Sequence, residues 1–235
     1  MMKIISWMVT PPLQRIPLLR FMFTVPYLSI RSLRYESSLR SYSLFPTLLL
    51  YTMLMALFLV VGAEFFHPLN YWENILIAPA IYFLTEAVGA LAQLLFSRRE
   101  LSIYPIHHQP LYSPSLSQFW GRRWNLWVQD WLKDISNALG KHSRLMRIIV
   151  TFLVSGIFHE VMVNFPYWLM TGKSYFGTMM AYFLIQAFGL YLDKKFIKHL
   201  NPHIRRIYQW LFIILPSPLF INQPLLAFLG ISNPF

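Results

Sequence analysis

The chain has no cysteine among its 235 residues. That excludes disulfides, thiolate nucleophiles and thiolate metal sites. Charge is also scarce. Asp, Glu, Lys and Arg make up 12% of the residues, against roughly 25% in a soluble domain. No serine-elbow motif, P-loop or dinucleotide fingerprint is present, and no internal repeat or low-complexity tract. The opening MMKIISWMVTPPLQR makes a poor signal peptide. Thr10, Pro11 and Pro12 break its apolar run, and no small-residue cleavage site follows.

What is present is apolar. Hydrophobic residues make up 56% of the chain, and its mean hydropathy is +0.46. Five stretches approach the length of about 20 mostly apolar residues that a membrane helix needs. They are 44–66, 75–96, 147–170, 175–192 and 207–230. Pro216, Pro218 and Pro224 interrupt the last, which reads as a kinked span or a re-entrant pair. The expected fold is all-α: a multi-pass transmembrane bundle of about five spans with an amphipathic cytoplasmic helix.

The basic residues test this topology. The net charge is +11, yet the Lys and Arg residues lie between apolar spans and form no continuous face for nucleic acid. If all five spans cross, 19 of the 20 basic residues fall on one side and only Lys173 on the other. This bias places the N-terminus and the segment 97–147 in the cytoplasm. A bacterial inner membrane and an endoplasmic reticulum both suit these loops. Residues 1–43 read as a basic interfacial arm. Arg15, Arg20, Arg31, Arg34 and Arg40 alternate there with Leu, Phe and Tyr, a pattern suited to anionic head groups.

Two stretches stand out. The first is SLSQFWGRRWN, residues 115–125. Ser115 with Gln118 fits a capping box, and the spacing predicts a helix over 116–139, stopping near Gly140. On such a helix Trp120, Trp124, Trp127 and Trp131 form a stripe about 60° wide. Gln118, Arg122, Asn125, Gln129 and Lys133 lie roughly opposite. One reading is a helix lying in the membrane interface. The other is that its polar face lines a site opening to the cytoplasm.

The second stretch is FLVSGIFHE, residues 152–160. His159 lies about 18 Å along the third span at 1.5 Å per residue, near the bilayer centre. Glu160 is beside it, and Ser155 is one turn earlier on the same face. An ionisable group there is costly unless it is paired or wet, which makes it a functional candidate. The plain alternative is a histidine bonded to a neighbouring helix. Glu64 and Glu86 read as helix-contact or interface residues. His107 and His108 are a poor chelating pair, because adjacent residues of an extended chain point to opposite sides. No metal site is expected. A neutral imidazole inside a membrane suits general-base work on a hydroxyl that attacks a carbonyl directly.

The two stretches, in this order, resemble the wax synthase-like branch of the membrane-bound O-acyltransferase family. Its first motif reads approximately S-L-x-x-F-W-G-R-R-W-[NH], matched here from Ser115 to Asn125. Its second reads F-x-x-S-G-x-x-H-E, matched from Phe152 to Glu160. The resemblance covers roughly residues 100–230. It implies an enzyme that transfers an acyl group from acyl-CoA, as co-substrate, to a lipophilic alcohol, without a cofactor. By position His159 becomes the catalytic histidine and Asn125 its polar partner. Arg122, Arg123, Trp120, Trp124, Ser155 and Glu160 become substrate-binding residues. Asn at position 125 favours a long-chain alcohol over a terpenoid or other small alcohol. Residues 44–235 then form the membrane acyltransferase domain, with fewer spans ahead of the first motif than family members usually have. The competing function is that of a shortened, non-catalytic relative that binds lipid or acts as a scaffold.

Overall fold

The computed structural model describes residues 33–35, 44–64, 77–97, 101–138 and 143–232. Most of the expected interfacial arm lies outside these residues, as do Arg98, Arg99, Gly140 and Lys141. Its described part, strand β1 (Leu33–Tyr35), pairs antiparallel with β2 (Leu101–Ile103), Arg34 facing Ser102. The other regular elements among the described residues are helical.

Helix α1 (Leu44–Glu64) and helix α2 (Ala78–Ser97) pack side by side. Helix α3 (Leu126–Ala138) follows the first motif. Helix α4 (Arg144–His159) runs through a π-helical turn, Glu160–Asn164, into α5 (Phe165–Thr171). Helix α6 (Thr178–Lys195) returns against α4, and α7 (Pro202–Ile214), α8 (Ser217–Phe220) and α9 (Gln223–Phe228) close the described chain.

Among the described residues three helical stretches are long and apolar enough to cross a membrane: Leu44–Val61, Ala78–Leu95 and Leu145–Thr171. Two of the five expected spans are not among these. The stretch 175–192 becomes α6, whose last turn already carries Asp193, Lys194 and Lys195. The stretch 207–230 divides into three short helices, with Pro near the start of α8 and α9. Proline lacks an N–H and clashes with the preceding turn, so it starts helices better than it continues them.

The close approach of α4 to α6 depends on Gly156. A Cβ there would come within 2.7 Å of Met180 Sδ and 3.2 Å of Met180 Cα. Phe152, Tyr182, Phe183, Ala187 and Leu190 fill the seam between these helices, with Leu116 of the first motif buried against them. A second cluster joins Ile77 and Ala80 at the start of α2 to Val163, Met179 and Leu226. Both motifs therefore sit on the core.

Candidate active site

The first motif does not form the single helix its spacing predicts. Ser115 caps as expected, its hydroxyl accepting from the Gln118 N–H at 3.3 Å. After one α-turn (Leu116–Gln118) the backbone widens into a π-turn, Phe119–Arg123, closed by Trp124 N–H to the Phe119 carbonyl at 2.9 Å. The chain then turns at Asn125, whose φ is +40°, before α3 begins. Trp124, in extended conformation, has already ended the helical turn, and residues other than glycine rarely adopt the conformation that Asn125 takes after it. π-turns often occur at functional sites because the extra residue re-aims the side chains around it.

The break moves the tryptophans off a single stripe. Trp127 and Trp131 are buried in the protein, and Trp120 and Trp124 are half-buried among other aromatic rings. Trp120 packs edge-on to Phe152 of α4, and its Nε1 donates to Gln186 Oε1 of α6 at 3.0 Å. Gln186, fully buried, donates in turn to the Phe212 carbonyl at 2.6 Å. Ser117 donates from its backbone N–H (2.9 Å) and its hydroxyl to Asp193 Oδ2. These bonds dock the motif on α6. The indoles thus serve packing and anchoring within the protein, in place of the interfacial stripe expected from a straight helix.

The arginines separate. Arg123 Nη1 donates to the carbonyls of His108 (3.3 Å) and Gln109 (3.0 Å), pinning the preceding loop. Arg122 is exposed and lines a cavity of about 390 Å³ with Tyr104, His107, His108, Gln129 and Lys133. Lys133 reaches Gln129 Oε1 at 2.8 Å and Asp130 Oδ1 at 3.2 Å.

Asn125 is held at two points. Its backbone N–H donates to His107 Nδ1 at 2.9 Å, and its side-chain Oδ1 accepts from the Val128 N–H at 3.3 Å, capping α3. A ring nitrogen that accepts carries no proton, so the His107 proton is on Nε2. Nε2 lies 2.8 Å from Thr85 Oγ1, and that hydroxyl donates to the Tyr82 carbonyl at 2.8 Å. The imidazole stacks on Trp124 at 4.4 Å between centroids. Burial pushes its pKa down to about 4, so it is neutral. The sequence raised His107 only as half of a poor chelating pair and did not single out Thr85. Their proximity depends on α2 meeting the loop, and no local spacing reports that.

In the second motif His159 ends the regular part of α4. Its Nδ1 lies 2.7 Å from the Ser155 carbonyl. A carbonyl only accepts, so Nδ1 carries the proton and Nε2 the lone pair. Phe183 at 4.8 Å and Phe220 at 5.2 Å flank the ring. Among the described residues Nε2 takes no hydrogen bond.

Glu160 is fully engaged by the fold. Oε1 accepts from the backbone N–H groups of Gly177 (3.1 Å) and Met180 (2.9 Å), and Oε2 from Asn164 Nδ2 (2.8 Å). It caps the start of α6, where free N–H groups favour a carboxylate. Asn164 also reaches the Tyr175 carbonyl, and Asn222 donates to Asn164 Oδ1 and Thr178 Oγ1. The π-turn lets Glu160 and Asn164, four residues apart, work on one network. Neither Asn164 nor Asn222 was singled out in the sequence. An asparagine in the same apolar run, shortly after His159 and Glu160, was the available signal.

No hydrogen bond or ring contact joins Asn125 to His159 among the described residues. A chain of rings connects them: Trp124 to Trp120 (6.4 Å), Trp120 to Phe183 (6.4 Å), and Phe183 to His159. The two motifs therefore flank one aromatic wall.

Residues 103–185 match the family described as "Membrane bound O-acyl transferase family". This segment is similar to the membrane-bound O-acyltransferases. The chain is 31% identical over 136 residues to acyl-CoA–sterol O-acyltransferase 1 of Arabidopsis thaliana, covering 52% of this chain and 37% of that protein. It is 33% identical over 108 residues to the long-chain-alcohol O-fatty-acyltransferase of Simmondsia chinensis, covering 39% and 31%. A probable long-chain-alcohol O-fatty-acyltransferase of Arabidopsis thaliana is 38% identical over 84 residues, covering 32% and 25%. The chain thus spans between 25% and 37% of the length of these curated relatives. The family segment contains both motifs, and the wax synthase-like resemblance read from them holds.

Proposed function

We propose that the protein transfers an acyl group from acyl-CoA to the hydroxyl of a lipophilic alcohol, with His159 as general base. The observation that carries this reading is the Nδ1–Ser155 hydrogen bond, which leaves a lone pair on Nε2 among aromatic rings. Nε2 takes the hydroxyl proton as the alcohol oxygen attacks the thioester carbonyl. The C–S bond breaks, and the departing CoA sulfur takes up the proton. Asn125 Nδ2 is the side-chain donor left after Oδ1 has capped α3, suited to the carbonyl oxygen or to CoA. Acyl-CoA enters from the cytoplasm, its phosphates near Arg122 at the mouth of the 390 Å³ cavity. The reaction needs acyl-CoA as co-substrate and no resident cofactor.

The relatives act on sterols or on long-chain alcohols by name, and a long-chain alcohol is the acceptor we favour. Segment 97–147 and the N-terminus face the cytoplasm in this reading, and residues 1–43 contact anionic lipid. Ser155, Trp120, Trp124 and Arg123 shape the site through packing and loop position. Glu160 orients the His159 turn through its hold on α6.

The test is ester formation by membranes containing the chain, given labelled palmitoyl-CoA or acetyl-CoA with fatty alcohols, sterols and terpenoids. Ester made by the wild type and lost in His159→Ala supports the reading. Equal ester from both removes His159 from the mechanism.

A further inference from the structure

We infer that His107 is a positioning residue for the acyl-transfer site, holding the backbone N–H of Asn125 on its Nδ1 and so fixing the left-handed turn at that residue. The kinetic consequence rests on the acyltransfer reading, whereas the structural consequence does not.

Five observations converge. Asn125 has φ +40°, a conformation that persists only when its surroundings hold it. The hold is a backbone zipper, with His108 N–H to the Arg123 carbonyl (2.8 Å) and Leu126 N–H to the Ile106 carbonyl (2.7 Å). His107 lies between these rungs and completes them, its Nδ1 accepting the Asn125 N–H at 2.9 Å. Without that nitrogen the amide at the turn would lose its partner. The ring cannot swivel away, because Trp124 stacks at 4.4 Å and Tyr82 at 5.4 Å. Its tautomer is fixed from the far side, Nε2–H donating to Thr85 Oγ1 (2.8 Å), whose own proton goes to the Tyr82 carbonyl. The relay runs from a membrane-length helix through an imidazole to the residue carrying the site amide. Where Asn125 Nδ2 points is set by the backbone that His107 holds.

Two variants separate positioning from bulk packing. Both lose the ring. In His107→Asn the amide oxygen falls near the place of Nδ1 and can still accept the Asn125 N–H. In His107→Gln the amide reaches the place of Nε2 and leaves that N–H without its acceptor. With the full chain in membranes, His107→Gln is expected to lose roughly 10²-fold in kcat, with the KM for acyl-CoA within about twofold. His107→Asn is expected to keep kcat within about threefold. Equal losses in the two variants, no loss in either, or a change in KM alone would overturn the inference.

Hydrogen exchange of the purified full chain supplies the readout that needs no activity. The Asn125 amide is expected to be protected in wild type and His107→Asn and to exchange fast in His107→Gln. Fast exchange in wild type, or equal protection in all three, would overturn the inference. A wild type that makes no ester while showing the expected exchange pattern would sink the acyltransfer reading alone. Should His107→Gln lose protection across Thr178–Lys195 and so prove unfolded, Thr85→Val takes its place. It removes the partner that fixes the tautomer, and unchanged kcat and unchanged exchange at Asn125 would then count against His107.

Discussion

The Nδ1 of His159 lies 2.7 Å from the carbonyl oxygen of Ser155, one helical turn earlier. The bond assigns the imidazole tautomer without reference to any ligand, and it leaves Nε2 as the basic nitrogen. Replacing His159 with Ala should therefore cost roughly 10²–10⁴-fold in ester formation, the usual worth of a general base. His159→Gln, which keeps a polar group without a comparable base, should be nearly as poor. Initial rates with saturating acyl-CoA check this, with thermal unfolding as the control for folding. A Gln variant that retained more than a tenth of the rate would argue for a hydrogen-bonding role instead.

His107 gives a pH dependence of stability. Burial holds its folded-state pKa at about 4, below the ordinary 6.5. Between these values the unfolded chain binds a proton that the folded chain refuses. The stabilisation is complete above 6.5 and is lost as pH falls from 6.5 towards 4. The gap corresponds to about 3 kcal/mol. Thermal unfolding of the detergent-solubilised chain should show the midpoint falling over this window. The fall should be shallower in His107→Asn, which has no titrating ring. Parallel slopes in the two proteins would remove His107 as the source.

The contrast between the two histidines shows what the sequence could and could not report. His159 was legible because an ionisable residue deep in an apolar run is anomalous on its own. His107 was not, because a histidine in a proline-rich loop is ordinary until α2 brings Thr85 and Tyr82 against it. The same limit applies to the tryptophans. A 3.6-residue period placed all four on one face, but the π-turn at Phe119–Arg123 and the positive φ at Asn125 broke that period inside the motif. The apolar runs gave three of the spans closely. The stretch 175–192 also folds as one helix, α6, with charges at its end, whereas prolines divide 207–230.

Glu160 should prove a determinant of folding as well as a neighbour of the site. Its two oxygens accept from Gly177, Met180 and Asn164. Glu160→Ala leaves the Gly177 and Met180 N–H groups without their acceptor, at about 1–3 kcal/mol for each one left without a replacement, while Asn164 keeps the Tyr175 carbonyl. Glu160→Gln keeps one acceptor oxygen and should be intermediate. Thermal unfolding ranks the three proteins, and activity per folded molecule separates the contributions. If Glu160→Ala melted like wild type yet lost activity, the carboxylate would belong to the chemistry and not to the cap.

Gly156 lies between Ser155 and the His159 turn, where α4 meets α6. A Cβ there falls 3.2 Å from Met180 Cα, closer than backbone tolerates without a shift. Met180 Sδ, at 2.7 Å, can swing aside, but the Cα belongs to the same turn whose N–H Glu160 holds. Gly156→Ala should therefore cost about 1–3 kcal/mol as overpacking. Gly156→Leu should cost more, by forcing the helices apart. Because the shift moves the seam that Phe183 shares with His159, ester formation should fall more steeply than stability does. Chemical crosslinking across α4 and α6, read beside the rates, checks the cause. An Ala variant with wild-type stability and rate would mean that α6 yields freely, and that the seam does not hold His159 in place.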